Sequence, residues 1–212
     1  MPGERRVDHY YSAKPVARSE ERVIEATLLG ASLRFITDAG VFSKEHVDPG
    51  TRLLVESAPL PPKGRVLDLG CGYGVVGIAV AKARPDLEVE LVDINERAVD
   101  LARRNAALNG VSGVTVRLSD GFAAIPAEER FALILTNPPY RAGKDVVYAL
   151  VEEARQRLEP DGALAVVGRT KQGVKSLKKH MEALFGNAVD LVRDGGYRVI
   201  VSRKAAAAQG GG

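Results

Sequence analysis

The chain has 212 residues, of which 45% are hydrophobic, with a formal net charge of +3 and an isoelectric point near 9.0. This length suits one α/β domain with a full core and a small appendage. No apolar run approaches the roughly 20 residues of a membrane span. Residues 1–6 lack the apolar core of a signal peptide, and the single cysteine, Cys71, excludes an intramolecular disulfide framework. We therefore expect a cytoplasmic protein without a membrane partner, while the basic excess permits a nucleic-acid partner without requiring one.

The N-terminal part of the chain combines a polar segment with a short β-hairpin. Residues 1–21 are polar and mixed in charge, and they include His9-Tyr10-Tyr11-Ser12. This tetrapeptide either docks on the folded domain or forms part of a lid over a substrate or cofactor. Runs of β-favouring residues at 23–29 and 32–37, separated by Gly30-Ala31, predict the hairpin.

Helices and strands alternate through the rest of the chain. A helix is predicted from Asp48 to about Ala58, where prolines end it. The apolar periodicity then predicts five strands and four helices. The strands are at 65–69, 88–92, 113–118, 131–136 and 163–167, and the helices at 75–83, 96–108, 144–158 and 172–185. Two final strands, at 188–192 and 197–202, close the chain as a hairpin.

This alternation predicts an α/β fold of the Rossmann-like kind. Strands that alternate with helices form a mostly parallel sheet through right-handed crossovers, here with seven strands and helices on both faces. The last two strands add a C-terminal antiparallel hairpin at one edge. We divide the chain into an N-terminal extension with the β-hairpin (residues 1–50), the α/β domain (51–204) and a low-complexity, disordered tail (205–212).

A glycine-rich loop follows the first strand of the α/β domain. Its pattern is Asp68-x-Gly70-x-Gly72-x-Gly74, and glycines at this spacing let the backbone turn sharply and approach a ligand closely. The helix N-terminus behind the loop offers free N–H groups and a partial positive charge. Gly72 also begins a G-x-G-x-x-G match, typical of dinucleotide binding. In that fold, however, the first glycine follows the strand directly, and Gly70 takes that place here.

The acid that precedes this loop favours another cofactor. Asp68 can attract the ammonium group of an amino-acid moiety, whereas it would repel a pyrophosphate. The run from Asp68 to Gly74 resembles the first motif of the class I S-adenosylmethionine-dependent methyltransferases, and the predicted sheet over residues 51–204 resembles the architecture of that class. The resemblance implies S-adenosylmethionine as the cofactor. The residues expected to bind it here are Asp68, Gly70, Cys71, Gly72 and Gly74.

Two further acids follow the next strands. Because ligands bind at the carboxyl ends of the strands in such sheets, Asp93 is placed to accept hydrogen bonds from both ribose hydroxyls, with Ile94 beside it. Asp120, next to Gly121, can accept from an adenine amino group. Without a ligand, Asp93 would serve as a helix N-cap, for which Asn95 is better placed, and Asp120 as a turn acid.

The most specific signal is Asn137-Pro138-Pro139-Tyr140, directly after a predicted buried strand. Consecutive prolines fix the backbone and remove N–H donors. The Asn137 amide oxygen and a proline carbonyl can then accept both hydrogens of an exocyclic amino group. That arrangement aims the nitrogen lone pair at a sulfonium methyl carbon, and the Tyr140 ring offers a stacking surface for a planar substrate. We assign Asn137, Pro138, Pro139 and Tyr140 as catalytic, and no strong general base is required because the methyl donor is already activated.

The tetrapeptide resembles the signature of amino-methyltransferases that act on adenine N6, guanine N2 or glutamine side-chain amides. The flanking segments resemble the bacterial 16S ribosomal RNA guanine-N2 methyltransferases, over residues 9–204. These segments are Gly40-Val41-Phe42-Ser43, Val47-Asp48-x-Gly50-Thr51-x-Leu53-Leu54, Asn137-Pro138-Pro139-x-Arg141-Ala142-Gly143-Lys144, Thr170-Lys171-Gln172-Gly173 and Gly195-Gly196-Tyr197. The resemblance implies methylation of guanine N2 in ribosomal RNA or the small ribosomal subunit. We expect the single-domain form, without the extra N-terminal half that some members carry.

The family resemblance adds residues on both sides of the site. Thr51 is expected at the cofactor. Phe42, Arg141, Lys144 and Lys171 are expected at the RNA, where basic side chains can contact phosphates. A solvated surface is the alternative for the basic residues.

Other functions remain open at this stage. The same tetrapeptide would serve a protein glutamine or adenine-N6 amino-methyltransferase, and a catalytically silent RNA-binding assembly factor could keep the fold. A NAD-dependent dehydrogenase fits least well. His9, His46 and His180 are scattered without neighbouring thiols, so no metal is expected, and the oligomeric state is left open.

Overall fold

A computed structural model describes residues 19–206. The predicted contact of His9-Tyr10-Tyr11-Ser12 and the tail from residue 207 onward lie outside the described residues. Nine strands and five α-helices occur between residues 19 and 206. In chain order they are β1 (Arg22–Leu28), β2 (Ala31–Thr37), α1 (Pro49–Ser57), β3 (Arg65–Leu69), α2 (Val75–Ala83), β4 (Glu88–Asp93), α3 (Glu96–Leu108), β5 (Val114–Leu118), β6 (Phe131–Thr136), α4 (Lys144–Arg157), β7 (Leu158–Arg169), α5 (Val174–Phe185), β8 (Val189–Asp194) and β9 (Tyr197–Arg203).

The main sheet has seven strands in the order β5-β4-β3-β6-β7-β9-β8, and β1 and β2 form a separate antiparallel hairpin. The strands from β5 to β7 in this order pair in parallel, whereas β9 is antiparallel to both β7 and β8. Four of the five residues of β3 are buried, as expected for a central strand that is covered on both faces. The predicted mostly parallel sheet with a C-terminal antiparallel hairpin is confirmed.

Helices cover both faces of the sheet. One core cluster joins α1, α2, α3 and the hairpin to one face, through residues such as Leu54, Ile78 and Phe35. The other packs α4 and α5 on the opposite face, through residues such as Val147 and Leu177. α2 is buried almost all round because its sequence is apolar on every side, whereas α3 and α5 bury a single stripe.

Asn105 connects the hairpin to the main domain. Its side chain is fully buried and accepts from the Ile36 amide (2.7 Å), while its amide nitrogen donates to the carbonyls of Ile36 and Tyr73 (both 2.9 Å). A buried amide needs such partners to offset its lost hydration. The hairpin and the loop around Tyr73 are therefore held against the same face of α3.

The predicted element boundaries shift by small amounts for local reasons. β4 extends to Asp93, and α5 starts at Val174 because Thr170–Gln172 forms a 3₁₀ turn. The predicted turn at 160–162 lies inside β7, where Asp161 has a left-handed φ of 62°. That segment continues the sheet because the Asp161 amide donates to the Lys204 carbonyl (3.1 Å).

Candidate cofactor and acceptor site

The register of the sheet brings the predicted site residues to one level. Leu69 pairs with Val92 on one side and with Thr136 on the other, so the loops after β3, β4 and β6 leave the sheet together. They surround a cavity of about 300 Å³ at the carboxyl ends of the strands. The predicted residues that line it are Phe42, Thr51, Asp68, Gly70, Cys71, Gly72, Asp93, Ile94, Asp120, Gly121, Asn137 and Pro139. The predicted residues outside this lining are Gly74, Pro138, Tyr140, Arg141, Lys144 and Lys171.

The glycine loop needs its glycines for two different reasons. Gly70 and Gly72 have φ values of 74° and 55°, a conformation that side chains rarely adopt, and they face open space. A Cβ on Gly74 would stand 2.7 Å from the Ile78 side chain and 3.3 Å from the Ala102 Cβ. Gly74 has a positive φ as well, of 96°, and it also leaves room for helix packing, whereas Gly70 and Gly72 border the cavity.

Asp68 lies at the end of β3 and is almost fully buried. Its Oδ2 accepts from the Gly77 amide in the first turn of α2 (2.9 Å). Burial raises the pKa of Asp68 to about 7, and the nearby Asp93 carboxylate adds to this, whereas the Gly77 hydrogen bond opposes it. Because this carboxylate occupies the helix N-terminus, an anionic pyrophosphate is disfavoured there and a cation is favoured.

Asp93 closes the cavity from the neighbouring strand. Its Oδ2 accepts from the Gly72 amide (2.8 Å) and its Oδ1 from the Asn95 amide (2.9 Å). Burial raises the pKa of Asp93, against these backbone hydrogen bonds. The N-cap of α3 is Asn95, as expected, because its side chain accepts from the Arg97 and Ala98 amides. Asp93 is therefore held rigidly at the cavity wall without serving as the helix cap.

The loop after β5 presents Asp120 to the cavity. Ser119 supports the loop, since its hydroxyl donates to the Gly121 carbonyl (2.8 Å) and accepts from the Ala124 amide (3.0 Å). Asp120 itself is exposed, and its carboxylate has no hydrogen-bond partner among residues 19–206. An exposed, uncommitted acceptor of this kind can bind a donor at little desolvation penalty.

Asn137 directly follows β6 and lines the cavity. Its Nδ2 donates to the Thr51 Oγ1 (3.0 Å) and approaches the Asp48 Oδ2 at 3.4 Å. Its amide oxygen, Oδ1, has no partner within the described part of the chain. The protein therefore fixes the donor end of this amide and leaves the acceptor end for a ligand.

The prolines hold the loop after Asn137 in one conformation. Pro139 has φ −76° and ψ 75°, and the Tyr140 amide donates to the Pro138 carbonyl (2.8 Å). These values describe an inverse γ-turn. The Pro138 carbonyl, a candidate acceptor for the substrate, is thus already engaged by the backbone, whereas Pro139 lines the cavity.

The structure does not bring Tyr140 to the cavity. Its ring packs against the core beneath α4 and α5, and its hydroxyl donates to the Val167 carbonyl (2.9 Å). A Cβ on Gly168 would stand 2.1 Å from this hydroxyl, so the glycine makes room for the side chain. Burial raises the pKa of Tyr140. The tyrosine anchors the turn in this structure, and no stacking surface is presented to the cavity.

The predicted RNA-contacting residues lie at or beyond the cavity rim. Arg141, Lys144 and Lys171 are exposed, and the Lys144 Nζ lies 4.9 Å from the centre of the Tyr148 ring. Phe42 both lines the cavity and exposes 36% of its surface. Phe42 is therefore the residue of this group that joins the cavity to the outer surface.

Asp48 and Tyr197 support Asn137, and neither was predicted from the sequence as a site residue. Asp48 is the N-cap of α1, and its Oδ2 accepts from the Thr51 amide (2.9 Å). Its Oδ1 accepts from the Tyr197 hydroxyl (3.1 Å), and the Arg169 guanidinium lies 4.7 Å from the centre of the Tyr197 ring. A capping signal, Asp48 before Pro49, was present in the sequence. No local signal could have joined Tyr197 to it.

Fold and site together define a class I methyltransferase domain: a parallel sheet with an antiparallel C-terminal hairpin, and carboxylates around a glycine loop at the strand ends. The family model called methyltransferase small domain matches residues 32–201, and the chain belongs to that family. The predicted class and its cofactor, S-adenosylmethionine, are confirmed.

The similar proteins include one from Bacillus subtilis and one from Pseudomonas entomophila. The uncharacterized protein YbxB of Bacillus subtilis is 40% identical over 198 residues, which cover 93% of this chain and 98% of that protein. The ribosomal RNA small subunit methyltransferase C of Pseudomonas entomophila is 34% identical over 197 residues, covering 91% of this chain and 57% of that protein. This chain thus spans a little over half of that methyltransferase.

A solved structure of a longer methyltransferase is also matched by this chain over about half of its length. The T. thermophilus 16S rRNA N2 methyltransferase RsmC, in complex with AdoMet and guanosine, superposes with a TM-score of 0.77 at 30% identity. The match covers 90% of this chain and 52% of that chain. Within residues 19–206, no helix is long and apolar enough to cross a membrane, and no cluster of His, Cys, Asp and Glu side chains could hold a metal ion.

Proposed function

We propose that this protein transfers a methyl group from S-adenosylmethionine to an exocyclic amino group in ribosomal RNA, with guanine N2 of the small-subunit 16S RNA as the target. The observation that carries the proposal is the orientation of Asn137. Its amide nitrogen is engaged by Thr51 and Asp48, so its oxygen is the group available to a substrate. An acceptor at this place selects a substrate that donates N–H bonds, as an amino group does.

The cavity wall fits the cofactor group by group. Asp68 suits the ammonium of the amino-acid moiety, the fixed carboxylate of Asp93 suits a ribose diol, and exposed Asp120 suits an adenine amino group. All three acids line the cavity, and each could accept hydrogen bonds from a part of the cofactor that donates them. Gly70 and Gly72, with no side chain, let the backbone approach the ligand closely.

The main contribution of the protein to the reaction is to position the substrate amino group. S-adenosylmethionine, when bound, supplies an activated methyl group. Asn137 accepts from the amino group and holds its nitrogen lone pair toward the donor, an interaction that strengthens as the nitrogen gains positive charge. In the transfer, the nitrogen lone pair would form the new N–C bond while the methyl C–S bond breaks and the sulfur keeps the bonding pair, leaving a neutral thioether; the methylated nitrogen would then release one proton to water. The rigid Pro138-Pro139 turn keeps Asn137 in position throughout.

The RNA target rests on the named relatives and on the rim of the cavity. Two of the similar proteins, those of Pseudomonas entomophila and T. thermophilus described above, are small-subunit ribosomal RNA methyltransferases. Exposed Arg141, Lys144 and Lys171 are proposed to contact RNA phosphates, and Phe42, which lines the cavity, is proposed to contact the RNA as well.

The test is a map of modified nucleosides. Ribosomal RNA from a strain that lacks the protein should lose one N2-methylguanosine, detected by mass spectrometry after nuclease digestion. A plasmid with the wild-type chain should restore it, and one with Asn137→Ala should not. Loss of N6-methyladenosine instead, or of a methylated glutamine in a ribosomal protein, would replace the proposed target with one of the other amino-group acceptors. An unchanged set of modifications would refute the RNA target.

A further inference from the structure

The N-terminus of α1 contacts the donor end of the Asn137 amide. Thr51 is 8% exposed and lines the cavity. Its hydroxyl oxygen lies 3.0 Å from the Asn137 Nδ2 and 3.5 Å from the Asp48 Oδ2. A hydroxyl can donate one hydrogen bond and accept others. It can therefore donate to the carboxylate while it accepts from the amide.

An asparagine amide has two possible orientations that differ by a flip. In the alternative orientation the Asn137 oxygen would face the Asp48 carboxylate, which is an acceptor, and the Thr51 oxygen, whose proton is donated to that carboxylate. That arrangement is repulsive, and it would present N–H donors to the cavity. Asp48 and Thr51 therefore determine which end of the amide the cavity receives.

Asp48 is itself held on both oxygens. One accepts from the Thr51 amide and the other from the Tyr197 hydroxyl. The position of the tyrosine ring is set by Gly50, because a Cβ there would stand 2.5 Å from two of the ring carbons. A chain of groups from β9 through α1 to the loop after β6 thus leads to one amide oxygen, and each bond polarises the next.

We propose that Thr51, supported by Asp48 and Tyr197, is a positioning residue that keeps the acceptor end of Asn137 in the cavity and so selects amino-group substrates. This proposal rests on the proposed function for its substrate, and it gives Thr51 a role other than the cofactor contact expected from the family resemblance. Its distinguishing feature is that the hydroxyl acts on methyl transfer without acting on cofactor binding.

The matched variants are Thr51→Val and Thr51→Ser. Valine keeps the shape and the backbone N–H that satisfies Asp48, but it removes the hydroxyl, whereas serine keeps the hydroxyl. We expect Thr51→Val to lower the single-turnover rate of methyl transfer about tenfold, as for the loss of one hydrogen bond that positions Asn137, and Thr51→Ser to restore most of it. Thr37→Val is the control, because it removes another fully buried hydroxyl, which donates to the Lys44 carbonyl (2.6 Å) outside the cavity.

Binding of S-adenosylmethionine, measured by calorimetry, should be the same in all four proteins. If Thr51→Val weakens cofactor binding in proportion to its loss of rate, Thr51 is a cofactor contact and the proposal is wrong. The proposal is equally wrong if Thr51→Val turns over at the wild-type rate.

A second measurement needs no turnover. In ¹⁵N-labelled protein, the side-chain amide signals of Asn137, assigned by their absence in Asn137→Asp, should exchange slowly with solvent in the wild type and in Thr51→Ser. They should exchange faster in Thr51→Val, and equal exchange in all three would overturn the proposal. If wild-type protein methylates no ribosomal RNA, the proposed function fails while this measurement still decides the role of Thr51.

Discussion

The two sides of the cavity are built in different ways. On the cofactor side, formed by the loops after β3, β4 and β5, the buried acids Asp68 and Asp93 are held by neighbours close in the sequence or by an adjacent loop, as Asp93 is by the Asn95 and Gly72 amides. On the acceptor side, formed by the loop after β6 with Asp48, Thr51 and Tyr197, the hydrogen bonds that join the loop and β9 to α1 span 86 to 149 residues. The cofactor side is thus a local motif, whereas the acceptor side exists only in the complete fold.

This difference predicts that damage to the two sides separates cleanly. Variants on the cofactor side should weaken S-adenosylmethionine binding, and variants on the acceptor side should slow methyl transfer at saturating cofactor. A variant that impaired both to the same degree would break the comparison.

The largest expected effect is at Asn137. Asn137→Ala removes the acceptor for the target amino group and should lower the single-turnover rate by a factor on the order of 100 to 1,000. S-adenosylmethionine affinity should change little, because Asn137 is on the acceptor side. Single-turnover transfer to small ribosomal subunits measures the rate, and calorimetry measures the binding. A wild-type rate in Asn137→Ala would reduce the Pro138-Pro139 turn to a structural feature.

Asn137→Asp is the sharper control at the same position. It keeps an oxygen in the cavity but puts a second carboxylate within about 3.4 Å of the Asp48 Oδ2, the distance now spanned by Nδ2. We expect partial activity, because an acceptor oxygen remains in the cavity while the added negative charge repels Asp48.

The next effect is on the cofactor side. Asp93→Ala should weaken S-adenosylmethionine binding by about 2–3 kcal/mol, roughly 30- to 150-fold, through loss of charge-assisted hydrogen bonds to the ribose. Asp120→Ala is the matched control and should lose only several-fold, because an exposed carboxylate to a single amino group is worth less. Circular dichroism and thermal melting check that Asp93→Ala remains folded after it releases the Gly72 and Asn95 amides. Equal affinities in the two variants would contradict the assignment of Asp93.

A smaller effect concerns pH. Since burial raises the pKa of Asp68 to about 7, the cationic cofactor must displace a proton from this acid below that pH. Affinity for S-adenosylmethionine should therefore rise with pH up to about 7, by at most tenfold per unit, with proton release seen by calorimetry in buffers of different ionisation enthalpy. Asp68→Asn should flatten this dependence.

The same shift has the opposite sign for stability of the free protein. The unfolded chain releases the Asp68 proton at a lower pH than the folded chain does. The folded state therefore binds more protons between about pH 4 and 7, and the free energy of unfolding falls as pH rises through that window. Asp68→Asn should remove this fall, as measured by chemical denaturation at several pH values. A parallel fall in both proteins would assign it to other groups.

The smallest effect is expected at the rim. If Arg141, Lys144 and Lys171 contact phosphates, replacing each with Ala should reduce the slope of log affinity against log salt by roughly one unit. S-adenosylmethionine binding should not change. Lys82→Ala is the control, because Lys82 is in the last turn of α2, at the other end of the parallel strands. Identical slopes in all four variants would mark the rim residues as solvated surface.

The sequence predicts the residues of the cofactor side better than the contacts of the acceptor side. Asp68, Asp93 and Asn137 could be found because each is fixed by a short pattern at the end of a strand, and the aligned register then brings the three together. Tyr140 lies in the same motif, yet its ring turns into the core because Gly168 leaves space there. No sequence pattern near Tyr140 indicates that β7 places Gly168 opposite its side chain.

The partners of Asn137 show the other limit. Asp48 could be recognised as a helix cap, but the direction of its second oxygen depends on β9, which returns at the end of the chain to lie beside β7. The 3₁₀ turn before α5 could not be predicted from the sequence either, because hydrophobic periodicity does not separate one helical turn type from another.

The placement of α1 has a consequence for dissecting the molecule. The predicted boundary at residues 50/51 cuts through this helix, between Asp48 and Thr51. A fragment that begins at 51 would retain the whole glycine loop and the Asn137-to-Tyr140 motif, yet it would lack the carboxylate that aligns them with β9. Such a fragment would keep both sequence motifs of the family but lose the Asp48 contacts that hold Asn137. The hairpin, α1 and the sheet should therefore be kept together in any fragment or redesign of this domain.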